Sequence, residues 1–344
     1  MGVRSAAAAV IVARMAPAPF PILFLAPADP IDAVLVSGLL KRLHDEIEEG
    51  RFTVVAGADS APLFKDLPRL DELIVHRRSG LADGLGLWTR LRRRRWGLAL
   101  DAAGGRLTRW LSVRQRPPAH LEPDVALHKV AAAAGLLRLE DEPPAPFLFT
   151  SAQTEQRATD LLGDGGPILA MAPAAPWVGS TWPVERFARL ALQLLGDDGP
   201  LQGGRAMIVG SPQDWKAAES LRRSLPRDRW IDLTAQTDPL VVHACLARAR
   251  LCIGGAVLWS HLAAAAGSPT LGLYGPTDES VDGIWGAHAR VVRGPRSFQA
   301  IRAIDTALDQ PVCHMLDLTI ETVLQAANDL LDETEPASKG RIHA

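Results

Sequence analysis

Cysteine is scarce: the 344 residues contain three, Cys245, Cys252 and Cys313, and no CxxC pair. An odd number of scattered thiols excludes a disulfide framework and, with too few thiols near a paired histidine, a zinc site. A reduced, cytosolic setting follows. Lysine is also rare, at positions 41, 65, 129, 216 and 339 only, so most of the 37 basic residues are arginines. No apolar run reaches the roughly 18 residues of a membrane span, which excludes an integral membrane protein. Charge bias is missing too: the net charge of −2 and the charged fraction of 22% give no whole-chain attraction for nucleic acid. No motif for base readout is present either, so nucleic acid is not an expected partner.

What is present is apolar and periodic. A hydrophobic fraction of 47% in a chain of this length supports two cores of ordinary size. The opening MGVRSAAAAVIVARMAPAPFP reads as an N-terminal extension over residues 1–20, a signal peptide being the alternative because its apolar run is short and Arg14 interrupts its exit. From residue 21 strand-like and helix-like segments alternate: PILFLA, DAVLVSGLLKRLHDEI, RFTVVAG, a short helix near SAPLFKDL, ELIVH, the arginine-rich LWTRLRRRRW, GLALDAAG and KVAAAAGLL. The Pro- and acid-rich LEDEPPAPFLFTSAQ is the expected linker, near 139–153. The same grammar then repeats through PILAMAP, VERFARLALQLL, AMIVG, DWKAAESLRRSL, WIDLT, PLVVHACLARA, LCIGG and TLGLYG. The expected fold is α/β, with two Rossmann-like domains of parallel strands, 21–150 and 151–332, facing a central cleft, and a tail over 333–344. The last helical segment, TIETVLQAANDLLDE, is expected to pack back toward the first domain.

The segments TWPVERFARLALQLL, MIVGSPQDW, ARARLCIGG and above all HLAAAAGSPTLGLYGPTDES resemble the second domain of glycosyltransferase family 9, the ADP-heptose:lipopolysaccharide heptosyltransferases. The segments DAVLVSGLLKRL, FTVVAG, APLF and LPRLDELIV resemble its acceptor domain, so the likeness runs over residues 21–332. It implies a GT-B fold and a nucleotide-diphospho-sugar, most simply an ADP-sugar, held by the second domain as substrate. It also implies a lipid-linked glycan acceptor of the lipopolysaccharide core, inverting transfer without metal or other cofactor, and a cytoplasmic protein attached peripherally to the inner membrane.

Residue by residue, the resemblance places the general base at Asp32, although the preceding glycine is Ile31 here, a β-branched residue expected to narrow the approach; a helix N-cap is the competing role for Asp32. The family lysine aimed at the diphosphate is Ser180, which brings no charge, with Arg186 and Arg205 the nearest cations in sequence. The family run Gly-Asn-Asp-Ser-Gly followed two residues on by His becomes Gly254, Gly255, Ala256, Val257, Leu258 and His261, so polar groups that would grip the sugar are replaced by apolar bulk. Donor contacts are further implied at Asp214, which falls where the family has an acidic residue near the nucleoside, and at Gly275, Pro276, Thr277 and Asp278, which also read as an ordinary turn. His261 reads equally as a core histidine, and Asp101 ends a strand in the acceptor half.

The run WTRLRRRRW sets Arg92, Arg93, Arg94 and Arg95 between tryptophans, a pattern suited either to an anionic membrane or acceptor phosphates or to a solvated helix face. Three functional readings stand. One is a heptosyltransferase-type enzyme; the second is a catalytically silent GT-B protein that binds a partner transferase, a lipid or a nucleotide; the third is another GT-B enzyme such as a nucleotide-sugar epimerase.

Overall fold

The structure, a computed structural model, describes residues 19–77, 81–117, 127–234 and 238–335. Most of the expected extension over 1–20 and of the tail over 333–344 lies outside the described residues. The chain divides into two compact units, residues 1–151 with 280–282 and residues 152–279 with 283–344.

The first unit runs β1 (Phe20–Leu25), α1 (Pro30–Leu35), α2 (Gly38–Glu46), β2 (Gly50–Ala56), β3 (Leu70–Val75), α3 (Leu81–Leu91), β4 (Trp96–Asp101), β5 (Val113–Gln115) and α4 (Lys129–Ala134). Its strands pair in parallel in the order β3-β2-β1-β4-β5. Ile22, Leu23 and Phe24 of the central strand are completely buried. A strand covered on both faces has no solvent side, which is why β1 reads as an unbroken apolar run rather than an alternating one. The helix expected near SAPLFKDL is only one tight turn, Ala61–Phe64. Pro62 supplies its start, and the stretch is too short for α-helical propagation.

From residue 152 the chain runs α5 (Ala152–Leu162), β6 (Ile168–Ala172), α6 (Val184–Leu195), β7 (Arg205–Ile208), α7 (Trp215–Ser224), β8 (Trp230–Asp232), α8 (Pro239–Leu246), β9 (Leu251–Gly255), α9 (Leu258–Ala265), β10 (Thr270–Tyr274), α10 (Glu279–Asp282), β11 (Ala289–Arg293), α11 (Phe298–Ile304) and α12 (Ile320–Glu333), all in the second unit except residues 280–282 of α10. The six parallel strands are ordered β11-β10-β9-β6-β7-β8. Along α6, Phe187, Leu190, Ala191 and Leu194 recur at three- and four-residue spacing and are all buried, the stripe of a helix lying on a sheet. The last helix, α12, packs against α6 and β11, with Leu330 and Leu331 in the second unit's core. This corrects the expectation that it returns to the first domain: its apolar stripe finds an uncovered sheet face beside it in sequence.

Both sheets wind outward from a central strand, so each has one point where the strand order reverses. It lies between β1 and β4 in the first unit and between β6 and β9 in the second. Ligands of open α/β sheets bind at the carboxyl ends of the strands flanking such a point.

Candidate functional site

In the first unit the reversal point presents Asp32 on one flank and Asp101 on the other. α1 begins directly after β1, and its N-cap is Asp29, whose Oδ1 accepts hydrogen bonds from the backbone N–H of Ile31 at 2.8 Å and of Asp32 at 3.1 Å. The cap role considered for Asp32 therefore belongs to Asp29. Ile31 stands in the first turn of this helix, so the position requires no glycine. With the cap filled, the Asp32 side chain is available elsewhere: its Oδ1 accepts a hydrogen bond from Lys129 Nζ at 2.6 Å. Lys129 opens α4, where His128 caps the helix by accepting from the backbone N–H of Val130. Partial burial alone would lower the Lys129 ammonium, but the hydrogen bond and charge of Asp32, joined by Asp282 at 3.5 Å, outweigh it and hold the group above its ordinary value.

Asp101 ends β4 and is 9% exposed. Its Oδ1 accepts from the backbone N–H groups of Ala103 and Gly105, both at 3.2 Å, folding the chain back where Gly104 takes a φ of +72°. Beside it a cavity of about 240 Å³ opens at the carboxyl ends of the strands, lined mainly by apolar groups such as Leu25, Ala26, Val55 and Leu87, with His76 and Asp101 as its polar edge.

In the second unit the loop after β6 carries Ser180. Its hydroxyl donates to the backbone oxygen of Trp177 at 3.1 Å, so the side chain turns back on its own loop. Neither neighbouring arginine supplies the missing charge. Arg186 donates to the carbonyls of Leu316, at 2.8 Å, and Leu318, bracing the segment before α12. Arg205 begins β7 and packs beside Gly165, at the opposite end of the strands from Ser180. On the other flank, the two glycines that end β9 differ. A Cβ on Gly254 would lie 2.6 Å from Ser260 Oγ and 2.7 Å from the Ala172 side chain, so this glycine is needed for strand and helix to close together. On Gly255 the nearest atoms would be 3.9 Å away, at Leu273, and 4.0 Å, at Ser180, an ordinary contact distance.

After them Ala256, Val257, Leu258 and Trp259 are half-buried rather than core. Val257 is the N-cap of α9 and its side chain makes no capping hydrogen bond. The first backbone N–H groups of α9 are thus left to water or a ligand. His261, one turn into α9, is 3% exposed, the burial of a core histidine.

Asp214 closes a capping box, its Oδ2 accepting from both the backbone N–H and the hydroxyl of Ser211 at 2.7 Å. In the loop after β10, Gly275 and Pro276 are buried, Thr277 and Asp278 half-buried. A side chain on Gly275 would strike Met315 Sδ at 2.2 Å. Arg293 holds this loop from below, donating to the carbonyls of Gly275 and of Thr277, the latter at 2.6 Å, and to Glu279. The segment 313–318 ties the two loops together: His314 N donates to Gly179 O at 3.0 Å, Cys313 Sγ to Thr181 O at 3.2 Å, and Met315 rests on Gly275. His314 is fixed in turn by buried Asp305, Nε2 to Oδ2 at 3.0 Å. Lys129, Arg293 and the His314–Asp305 pair were not singled out in the sequence, because each partner lies far away along the chain or in a stretch without periodicity.

The arginine run is not one row. Arg94 pairs with Asp71 at 3.0 Å and lies over Trp96, and Arg90 pairs with Glu72, whereas Arg92, Arg93 and Arg95 are exposed. Among the described residues no three of His, Cys, Asp and Glu converge as metal ligands, and no helix is long and apolar enough to cross a membrane. Burial pushes the thiols of Cys245 and Cys252 up to about 11 and about 12, the mark of inert core cysteines.

Two parallel sheets, each with its reversal point and its loops at the carboxyl strand ends, define a GT-B-like α/β protein. The chain belongs to glycosyltransferase family 9 (heptosyltransferase), whose family model matches residues 91–310. Lipopolysaccharide heptosyltransferase 2 of Salmonella typhimurium is 26% identical over 226 residues, 63% of this chain and 62% of that protein. The Escherichia coli K12 protein of the same name is 25% identical over 213 residues, 58% and 59%. The matches thus span about six-tenths of the length of these relatives. The fold is shared with a glycosyl transferase family 9 structure from Veillonella parvula, TM-score 0.74 at 17% identity, covering 93% of this chain and 99% of that one. It is shared also with E. coli ADP-heptose lps heptosyltransferase II, TM-score 0.70 at 20% identity, covering 92% and 100%. A third is E. coli heptosyltransferase WaaC with ADP, TM-score 0.68 at 18% identity, covering 90% and 100%.

Proposed function

We propose that the protein transfers a sugar from a nucleotide-diphospho-sugar, an ADP-sugar in the first instance, to a lipid-linked glycan of the lipopolysaccharide-core type, with inversion at the anomeric carbon. The observation that carries this reading is Asp32, a carboxylate at the reversal point of the first sheet, relieved of capping by Asp29 and oriented by Lys129. With Oδ1 engaged, Oδ2 takes the proton from the acceptor hydroxyl; that oxygen forms a bond to the anomeric carbon as the bond to the diphosphate breaks, and the nucleoside diphosphate leaves. The uncapped start of α9 and the loop Gly275–Asp278 are the elements assigned to the departing diphosphate, because backbone N–H groups at a helix start favour anions. The sister structure with bound ADP supports the choice of nucleotide. The reaction would run in the cytoplasm, where nucleotide-sugars are made.

The second reading, a silent GT-B protein that binds without turnover, is favoured by one specific observation: Ser180 turns back on its own loop, Arg186 is engaged by main-chain carbonyls, and Arg205 lies at the opposite end of the strands. Calorimetric titration with ADP-, UDP- and GDP-sugars, followed by assay of transfer to a deacylated core acceptor, tests both. Binding with turnover supports the enzyme; binding without turnover supports the silent protein; no nucleotide binding removes the donor assignment.

A further inference from the structure

At the amino ends of the second unit's strands, opposite the end that carries Ser180, an open pocket of about 540 Å³ is lined by Arg205, Arg248 and Arg250. The sheet order gathers them from distant parts of the chain. β6 lies between β9 and β7, and the backbone N–H groups of Arg250 and Arg205 donate to the carbonyls of Ile168, at 2.8 Å, and Pro167, at 2.9 Å. The Arg205 guanidinium lies against the loop after α5: a Cβ on Gly165 would fall 2.5 Å from Nη2 and 2.6 Å from Cζ. Its Nε is buried and has no acceptor among the described residues. Such a donor is costly in a folded protein and asks for a partner. Arg250 is fixed at the carboxyl end of α12, donating to Leu331 O at 2.7 Å and Thr334 Oγ1 at 2.8 Å, both neutral acceptors. Arg248 is fixed at the end of α8, donating to Ala244 O at 2.6 Å and to Glu155 Oε2 at 2.8 Å. Only Arg248 of the three faces a carboxylate; Asp164, the one acid of the loop 163–167, is exposed and forms an ion pair with none of them.

We propose that this pocket is a binding site for a soluble phosphoryl anion, either inorganic phosphate or a phosphorylated small molecule. With Glu155 set against Arg248, two positive charges remain, the complement of a phosphoryl group that carries about 1.5–2 negative charges at neutral pH. Guanidinium forks match phosphate oxygens in pairs, a geometry that an ammonium does not offer. Two of the arginines are already immobilised by helix-end acceptors and the third by the glycine loop, so a ligand has little side-chain freedom to remove on binding. Helix capping accounts for Arg248 and Arg250 by themselves, but Arg205 caps nothing, and its buried Nε is the group that a ligand would satisfy. Because the pocket lies at the other end of the strands from the loops assigned to the sugar donor, its occupancy is independent of the nucleotide.

The test is calorimetric titration of the full-length protein with inorganic phosphate and with pyrophosphate, in phosphate-free buffer and without nucleotide. Saturable binding is expected, the two probes distinguishing a site for one phosphoryl group from a site for a linked pair. Arg205→Gln should weaken it by about tenfold or more, and Arg205→Lys, which keeps the charge but not the fork, should recover only part of that loss. Arg248→Gln should weaken it by a smaller factor, about threefold, because Glu155 already shares this guanidinium. Glu155→Gln should have the opposite sign and tighten binding by about threefold, a gain that damage to the fold would not produce. Circular dichroism verifies folding, and since Arg248 and Glu155 are solvent-accessible, their variants carry the test even where Arg205→Gln fails to fold. Absence of binding by both anions would overturn the proposal, as would parental binding in all of these variants, or equal binding of acetate. Pyrophosphate binding that survives Arg205→Gln but is lost in Gly255→Ala would also overturn it and would place the anion at the donor loops instead.

Discussion

Lys129 Nζ and Asp32 Oδ1 meet at 2.6 Å although 97 residues separate them in sequence. The first opens α4 and the second lies in the first turn of α1, so the pair joins two helix starts at the reversal point of one sheet. If Asp32 is the base, Asp32→Asn should lower kcat by at least about 10²-fold with little change in donor Kd, as loss of a general base does. Lys129→Met should lower kcat by a smaller factor, about tenfold, again with donor Kd unchanged, because it orients the base without touching the donor. Because the Lys129 ammonium is held above its ordinary value, the stability it contributes is present below about pH 10.5 and lost only as pH rises beyond that. A variant Asp32→Asn with parental kcat would remove the carboxylate from the mechanism.

Ser180 offers the donor no charge. Ser180→Lys should tighten ADP-sugar binding by about 10- to 100-fold, the effect of one charge-assisted contact of about 1.5–3 kcal/mol. Calorimetry of both proteins side by side measures it, and equal affinities would show that the diphosphate does not approach this loop.

The two glycines at the end of β9 should respond differently. Gly254→Ala forces a methyl group against Ser260 and Ala172 and should lower stability by about 1–3 kcal/mol. Gly255→Ala meets only ordinary contacts and should leave the melting temperature nearly unchanged while weakening donor binding. Thermal denaturation separates the two, and an equal loss of stability in both would contradict the packing seen here.

His243 is buried in α8 with Nδ1 facing the Leu262 carbonyl at 3.0 Å, and burial lowers its pKa from 6.5 to about 4. The unfolded chain therefore binds a proton that the native protein refuses between those values. Stability is full above about pH 6.5 and should decline by about 3 kcal/mol as pH falls toward 4. Chemical denaturation at pH 7 and pH 4.5 measures the slope, and His243→Gln should flatten it.

Periodicity and punctuation made much of the fold legible. Unbroken apolar runs such as PILFLA and LCIGG could only be strands covered on both faces, and stripes such as Phe187, Leu190, Ala191 and Leu194 could only be helices laid on them. Short edge elements were not legible: β5 and β11 are partly exposed and interrupt their few valines with arginine, so the apolar run is too short to mark a strand. Asp32 was visible from sequence because the resemblance to its family marked the position. Its capping alternative was settled only by geometry, since Asp29 stands three residues earlier and both can fill such a role in an extended chain.

By itself the sequence determined which segments become strands and helices, that they alternate in two sets, and which family-matched positions have lost their polar groups, because these depend on local pattern and residue identity. The tertiary structure alone decided that Lys129 reaches Asp32, that Arg186 is engaged by main-chain carbonyls and Arg205 lies at the far end of the strands, that Arg293 and Met315 support the Gly275 loop, and that Arg92 belongs with Trp88 while Arg94 belongs with Asp71. Partners of that kind are chosen by the order in which strands lie side by side, and that order brings together residues whose distance along the chain says nothing of their distance in space.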